Sequence, residues 1–337
     1  MSVLAALDMG PLTFQAVTVT AGALVTAAAT LLYHRRIRLP RPAIGVFNGR
    51  DVVVLLVFIT LLPLLYLAVP SLVLTGFLCL TFGSALSIGY QPVLGSRTSW
   101  LIIAGLLGAD TAIATTSLHS EGGWQAYWAV NSLIVVLAAA AIANLYIQGG
   151  MRLRHVTWFA VGLAVYDPIF SMVIPITDKL AARFVAHPLD ASIGYRLNGL
   201  SVNLGIGDLL VFSLFALAAT REHGRRGAAA ALTAIASFGA LTPVLLPAFL
   251  HFGGTDGGFV IPAQAFFGPA AALTYLWLTR TTVTPQAEPN AGQARQLPRP
   301  RGQAAPVLSG ENIDPEAGRG RTPASTGSRR ALGGTRP

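Results

Sequence analysis

Charge is scarce in this chain. Of its 337 residues only 11% are Asp, Glu, Lys or Arg, and 53% are hydrophobic. A soluble domain carries roughly 25% charged residues, so the deficit argues against a water-soluble globule and points to the membrane class. Cysteine is nearly absent too. The single Cys79 lies in an apolar run, which excludes an intrachain disulfide and any cysteine-based metal site. The six histidines are scattered, with no H-x-x-x-H pair and no adjacent His-Glu, so a zinc protease is not expected. Neither a metal nor another cofactor is called for. Lysine occurs once, at Lys179. The net charge of +9 raises the question of nucleic acid, but the arginines sit in short loops and in the C-terminal segment. No basic groove interleaved with aromatics is visible, so nucleic acid is not an expected partner.

Long apolar runs are what the sequence has in abundance. A membrane-spanning helix needs about 20 mostly apolar residues. Nine stretches qualify: 12–33, 52–69, 71–89, 99–117, 126–147, 155–175, 199–220, 228–250 and 258–279. Residues 51–90 are too long for one span, and Pro70-Ser71 divides them. The first run is expected to stay in the protein rather than be cleaved as a signal peptide. It has no basic segment before it, it is too long, and arginines follow it. The expected fold is therefore all-α, a polytopic bundle of nine transmembrane helices over residues 1–280.

Positive residues in short loops favour the cytoplasmic side. With nine spans, one side holds Arg35, Arg36, Arg38, Arg41, Arg50, Arg97, Arg152, Arg154, Arg221, Arg225 and Arg226, and the other only Lys179, Arg183 and Arg196. Eleven against three places the N-terminus outside and the C-terminus in the cytoplasm of a multi-pass protein, with a bacterial cell membrane as the expected setting. The long connection over 176–198 then lies outside. Residues 281–337 are rich in Pro, Gly, Ser, Gln and Arg and nearly free of aromatics. Such a segment cannot bury enough apolar surface to fold, so it reads as a disordered, basic cytoplasmic tail. Its eight arginines against four acids could attract anionic lipid headgroups, or it could be a solvated tail with no specific role. No soluble catalytic domain is visible, so any chemistry belongs in or near the membrane.

Ionisable groups inside the hydrocarbon region are costly and usually functional. Of the 14 acids, three fall well within spans: Asp110, Asp167 and Asp208. At 1.5 Å per residue, Asp167 in the sixth span and Asp208 in the seventh each lie ~12 Å below the outer boundary of a ~30 Å core. Gly205 and Gly207 precede Asp208, and small residues let helices or a substrate backbone approach closely; they also fit simple helix packing. Pro168 follows Asp167 and removes a helical hydrogen bond, which could loosen the helix beside the acid. Two close carboxyls in a low-dielectric site share a proton. One then acts as base toward water while the other donates to a peptide carbonyl. Asp110 fits either a tuning role in such a cavity or a protonated hydrogen-bond partner between helices. Tyr166 fits either contact with the scissile region or aromatic packing.

These residues resemble the presenilin and signal peptide peptidase family of intramembrane aspartyl proteases. Tyr166-Asp167 and Gly205-Ile206-Gly207-Asp208 stand where that family has Tyr-Asp in its sixth span and Gly-x-Gly-Asp in its seventh. The family's Pro-Ala-Leu at the ninth span is matched by Pro262-Ala263-Gln264, with Gln in place of Leu. Pro247-Ala248-Phe249 is a competing match late in the eighth span, and Pro262 also fits a helix-start proline. Pro168 is a second departure. The motifs cover 155–280. The resemblance implies a presenilin-like bundle, Asp167 and Asp208 as catalytic pair, Tyr166, Gly205 and Gly207 in support, and Pro262, Ala263 and Gln264 at the substrate. An outer connection between the sixth and seventh spans resembles signal peptide peptidase, which implies signal-peptide or other transmembrane-helix substrates with a cytoplasmic N-terminus. Oligomeric state is left open. The alternatives are a proton- or cation-coupled transporter, which also uses buried aspartates, a catalytically inactive homologue, and a prepilin peptidase. The last expects a lysine two residues past the aspartate, where Leu210 stands.

Overall fold

In the computed structural model the described residues are 9–37, 47–170, 174, 176–184, 187–197, 200–253 and 263–281. Pro262 and the tail from 282 onward lie outside them. The chain divides into two units, Met1–Thr284 and Pro285–Pro337; the helical unit concerns us here. In order it forms α1 (Met9–Arg36), α2 (Gly49–Ala68), α3 (Ser71–Leu94), α4 (Ser96–Thr116), α5 (Glu121–Gln148), α6 (Leu153–Pro168), α7 (Ile176–Phe184), β1 (Ser192–Leu197), β2 (Leu200–Gly205), α8 (Ile206–Gly253) and α9 (Ala263–Thr281).

Among the described residues five helices are long and apolar enough to cross a membrane: Ala16–Arg36 of α1, then α2, α3, α4 and α5. Their outward faces carry Leu72, Leu80 and Leu101, which are 82%, 69% and 75% exposed. Large side chains this bare are unfavourable against water and natural against lipid, so the helices point to a membrane protein. Pro70, which fixes φ and lacks an N–H, precedes Ser71 and separates α2 from α3.

The centre is α5 with the first half of α8. On α5, Ile134, Val135, Ala138, Ala139 and Ala143 have no exposed surface, and on α8 neither do Leu209, Val211, Phe212, Leu214 and Phe215. Polar pairs fix their register. Thr30 of α1 donates to Ser213 Oγ at 3.2 Å. Asn144 of α5 donates to the Thr30 carbonyl at 3.4 Å, and His34 Nδ1 lies 2.8 Å from Asn144 Oδ1. Arg221 of α8 donates to the Ile147 carbonyl. Gly224, with φ 60° and ψ −140°, breaks α8 into two helical halves, a conformation that suits glycine.

Three expectations need correction. The fold is not purely α: residues 192–205 form an antiparallel hairpin with register Ser192↔Gly205 to Leu197↔Leu200. Two residues, Asn198 and Gly199, separate the strands in sequence, and Asn-Gly is the favoured pair for a two-residue hairpin connection. The helix expected from 199 therefore begins at Ile206. Conversely, the helix expected over 155–175 stops at Pro168. Beyond it the Ile174 N–H reaches back to the Ile169 carbonyl at 2.8 Å, a wider π-type turn.

Hydrogen bonds sort the helix ends into two faces. On one, Arg183 of α7 donates to the Leu67 carbonyl at 3.0 Å and to the Val69 carbonyl, satisfying the open end of α2. Arg196 of β1 lies 3.8 Å from Glu121 and 4.6 Å from the Trp124 ring at the start of α5. On the other, the Phe47 N–H donates to the Gly149 carbonyl. The Leu153 N–H donates to Glu222 Oε1 at 2.7 Å, so α8 caps the start of α6.

Candidate active site

Asp208 stands in the first turn of α8, directly after β2. Its position is set by the hairpin, which sits on α5. Asn131 donates to the Ser192 carbonyl at 2.7 Å, and Ser132 and the Gly194 N–H are 3.3 Å apart. At Gly194 a Cβ would fall 2.5 to 2.8 Å from three atoms of the Trp128 ring, so the strand lies flat on that ring only because glycine is there. The Ile206 N–H then donates to the Ala191 carbonyl at 2.8 Å, closing the hairpin onto the start of α8.

Asp167 stands in the last turn of α6, next to Pro168. α6 packs on α9 at unusually close range. A Cβ at Gly268 would lie 2.4 Å from Ala164 Cβ and 2.8 Å from the Ala160 carbonyl oxygen. Small residues at a membrane helix contact allow this approach. The contact brings the start of α9 to Asp167, whose Oδ2 accepts from the Gln264 backbone N–H at 3.0 Å. That N–H belongs to the first turn of α9, one of the donors a helix leaves open, so Asp167 serves α9 as a cap.

Gln264 joins the two acids. Its backbone binds Asp167, and its side-chain Nε2 donates to Asp208 Oδ1 at 2.7 Å. The residue is 3% exposed, while both aspartates are partly buried. A single residue of α9 thus touches a carboxylate from α6 and a carboxylate from α8. Both hydrogen bonds involve an acceptor oxygen that, when ionised, is of the charge-assisted kind.

The other expected site residues are distributed unevenly around this pair. Tyr166 stacks on Phe170, with ring centroids 4.3 Å apart at 26°. Ala263 is buried at the head of α9, next to Gln264. Pro262 lies outside the described residues. Gly205 and Gly207 were expected to permit close helix approach, and the geometry differs. A Cβ at Gly207 meets nothing within 4 Å, and one at Gly205 meets only Asp208 Oδ2 at an ordinary 3.7 Å. Gly205 ends a strand rather than lining a helix, and the tight contact is made by Gly268 instead.

Asp110 does not join the pair. Fully buried, it accepts from the Leu189 N–H at 2.7 Å, a bond to the connection before the hairpin rather than to a helix. Leu189 has φ 60°, strained for a branched side chain. Tyr127 donates to the His187 carbonyl at 2.8 Å on the same turn. Asp190, also buried, accepts from Ser192 Oγ at 2.8 Å. Burial pushes the Asp190 carboxyl up to about 7, against the lowering effect of Ser192. A groove of about 790 Å³ runs between the second half of α8 and α9 past Arg226 and Trp277 and holds none of the expected site residues.

Sequence reasoning placed Gln264 at a substrate motif and missed its role as the bridge. The signal was a buried amide at a span start; the cost of unsatisfied polar groups applies to amides as well as acids. Glu222 and Gly268 were missed as well. With this geometry in hand, comparison with protein-family models gives no match for the chain, and comparison with curated proteins gives none either. The fold by itself defines a helical membrane protein.

Proposed function

We propose that the protein is an intramembrane aspartyl endopeptidase that hydrolyses peptide bonds within transmembrane helices, with Asp167 and Asp208 as its catalytic pair. One observation carries the proposal: carboxylates 41 positions apart in sequence (208 − 167) and on different helices hydrogen-bond one buried residue. Two acids held by one residue are what amide hydrolysis needs when no metal and no covalent nucleophile take part. One carboxylate removes a proton from water as the water oxygen bonds to the peptide carbonyl carbon. The other carboxyl gives its proton to the carbonyl oxygen. The resulting diol then collapses, the C–N bond breaks, and the amine leaves with a proton returned from the pair.

The proposed frame is the presenilin-like bundle of nine spans. In it α6, the two halves of α8 and α9 complete the set begun by the five apolar helices. The N-terminus lies outside, and the basic tail from 281 lies in the cytoplasm. The 176–198 connection, Arg183 and Glu121 then share the outer face. This orientation resembles signal peptide peptidase and suits remnant signal peptides or other spans with a cytoplasmic N-terminus.

The test is cleavage of model single-span substrates by the purified protein in detergent or bilayer. Wild type is expected to cut, and Asp167→Ala and Asp208→Ala are each expected to abolish cutting, a loss of at least ~10³-fold if a general acid or base is removed. Undiminished cutting by either variant overturns the proposal. Absence of cutting by wild type, with both variants folded, leaves the inactive homologue.

A further inference from the structure

In the family the chain resembles, the residue at position 264 is an apolar leucine, which offers the pair no hydrogen bond from its side chain. Here it is an amide, and its orientation can be derived. With Asp208 as the ionised member of the pair, a carboxylate that only accepts, the Gln264 amide turns its NH2 toward it, as in the 2.7 Å bond from Nε2. The amide oxygen is thereby turned away from that carboxylate. Oε1 is buried and makes no hydrogen bond among the described residues. A buried acceptor left unpaired carries a desolvation cost, which a water bound there during function would relieve. The backbone N–H of the same residue is already committed to Asp167, so Gln264 binds both carboxylates with its donors while its amide oxygen keeps its acceptor positions unused.

We propose that Gln264 is a third functional residue of this site, clamping Asp208 through its amide N–H and accepting a hydrogen bond from the attacking water through its amide oxygen. The inference rests on the endopeptidase reading and gives a role to the departure from the family motif. In the hydrolytic step the water gives one proton to the basic carboxylate and directs its second O–H to Gln264 Oε1. Its lone pair is then aimed at the peptide carbonyl carbon. No bond to Gln264 forms or breaks.

Two substitutions test it. Gln264→Met keeps the length of the side chain and removes both donor and acceptor. It should lower kcat at least roughly tenfold with KM changed less than about twofold. It should also shift the acid limb of the pH–rate profile, because Asp208 loses the donor it shares with the site. Gln264→Glu keeps an oxygen acceptor, and when protonated also a donor, so it should recover activity relative to Met only toward acid pH. An unchanged kcat and profile in Gln264→Met overturns the proposal. So does a kcat loss with an unmoved profile and lowered thermal stability, the pattern of a packing defect. Identical profiles for the Met and Glu variants overturn it as well. A second readout does not depend on proteolysis: infrared titration of the Asp208 carboxyl in wild type and Gln264→Met, assigned with Asp208→Asn. A titration that does not move sinks the clamp, whatever the wild type cuts. A wild type that cuts nothing sinks the endopeptidase reading and the water role with it, even when the titration moves.

Discussion

The two aspartates are held by different means. Asp208 follows a hairpin that is hydrogen-bonded to α5 at Ser192 and Gly194, laid flat on Trp128, and continued by a helix that is buried from Val211 to Ala219. Asp167 stands in the last turn of α6, next to Pro168, and is located by packing of small residues against α9 together with the Glu222 cap at the far end of the helix. One acid is fixed by a polar scaffold in the core, the other by the closeness of two backbones. A site built this way has a rigid wall and an adjustable one. The adjustable wall carries Gln264, so the distance between α6 and α9 governs whether the two carboxylates share a partner.

The largest effect should come from the adjustable wall. Gly268→Leu inserts a side chain where even a Cβ would lie 2.4 Å from Ala164 and 2.8 Å from the backbone of Ala160. Backbone cannot yield by side-chain rotation, so the helices must part. Overpacking of this kind costs about 1–3 kcal/mol or more, and the Gln264 N–H is drawn away from Asp167. Thermal unfolding in detergent should show the loss, and cleavage should fall at least ~10²-fold, since misplacement by about 1 Å costs that much. Gly268→Ala should fall between this variant and wild type. Equal activity in all three would mean that α6 and α9 need not touch for the site to form.

Part of this contrast was open to the sequence and part was closed to it. The apolar runs at 12–33, 52–69, 71–89, 99–117 and 126–147 correspond to α1 to α5, because a helix in lipid must satisfy its own backbone and hydropathy alone reports it. The hairpin was missed for the opposite reason. Ser-Ile-Gly-Tyr-Arg-Leu and Leu-Ser-Val-Asn-Leu-Gly are six residues each, and a 20-residue window averages them into the helix that follows. The Asn-Gly pair between them was the local sign. The placement of Asp208 in a first turn rather than two turns deep is a consequence of that miss. Gln264 was hidden differently. Its partners lie 97 and 56 positions away, and no local pattern reports which acid a distant amide will reach. The acids themselves stood out because ionisable residues within long apolar runs are rare.

The rigid wall is sharpened by Gly194→Ala. Its Cβ would overlap the Trp128 ring at 2.5 Å, and Trp128 is buried among core residues with little room to turn. The hairpin should lift from α5, costing about 1–3 kcal/mol. Because the hairpin is continuous with α8, Asp208 is displaced without any change in its own helix. Stability and cleavage should therefore fall together here, whereas Gly268→Ala should reduce cleavage out of proportion to stability. If Gly194→Ala also reduces cleavage alone, the hairpin is not a rigid support.

The smallest effect concerns how the rigid wall responds to pH. Asp190 is buried at the turn that leads into β1, facing Ser192, with Asp110 and Tyr127 of the neighbouring helices close enough to act on its charge. Its carboxyl, raised from the usual carboxylate range to about 7 by burial, binds a proton more tightly folded than unfolded. Between about pH 4 and pH 7 the folded state then holds more protons than the unfolded state, so stability falls as pH rises through that window and levels off above it. Asp190→Asn removes the group that titrates and keeps an oxygen to accept from Ser192. The melting temperature of wild type should drop by a few degrees more than that of Asp190→Asn between pH 5 and 7.5. The same slope in both proteins would assign the pH response to another group and leave the hairpin's seat insensitive to acid.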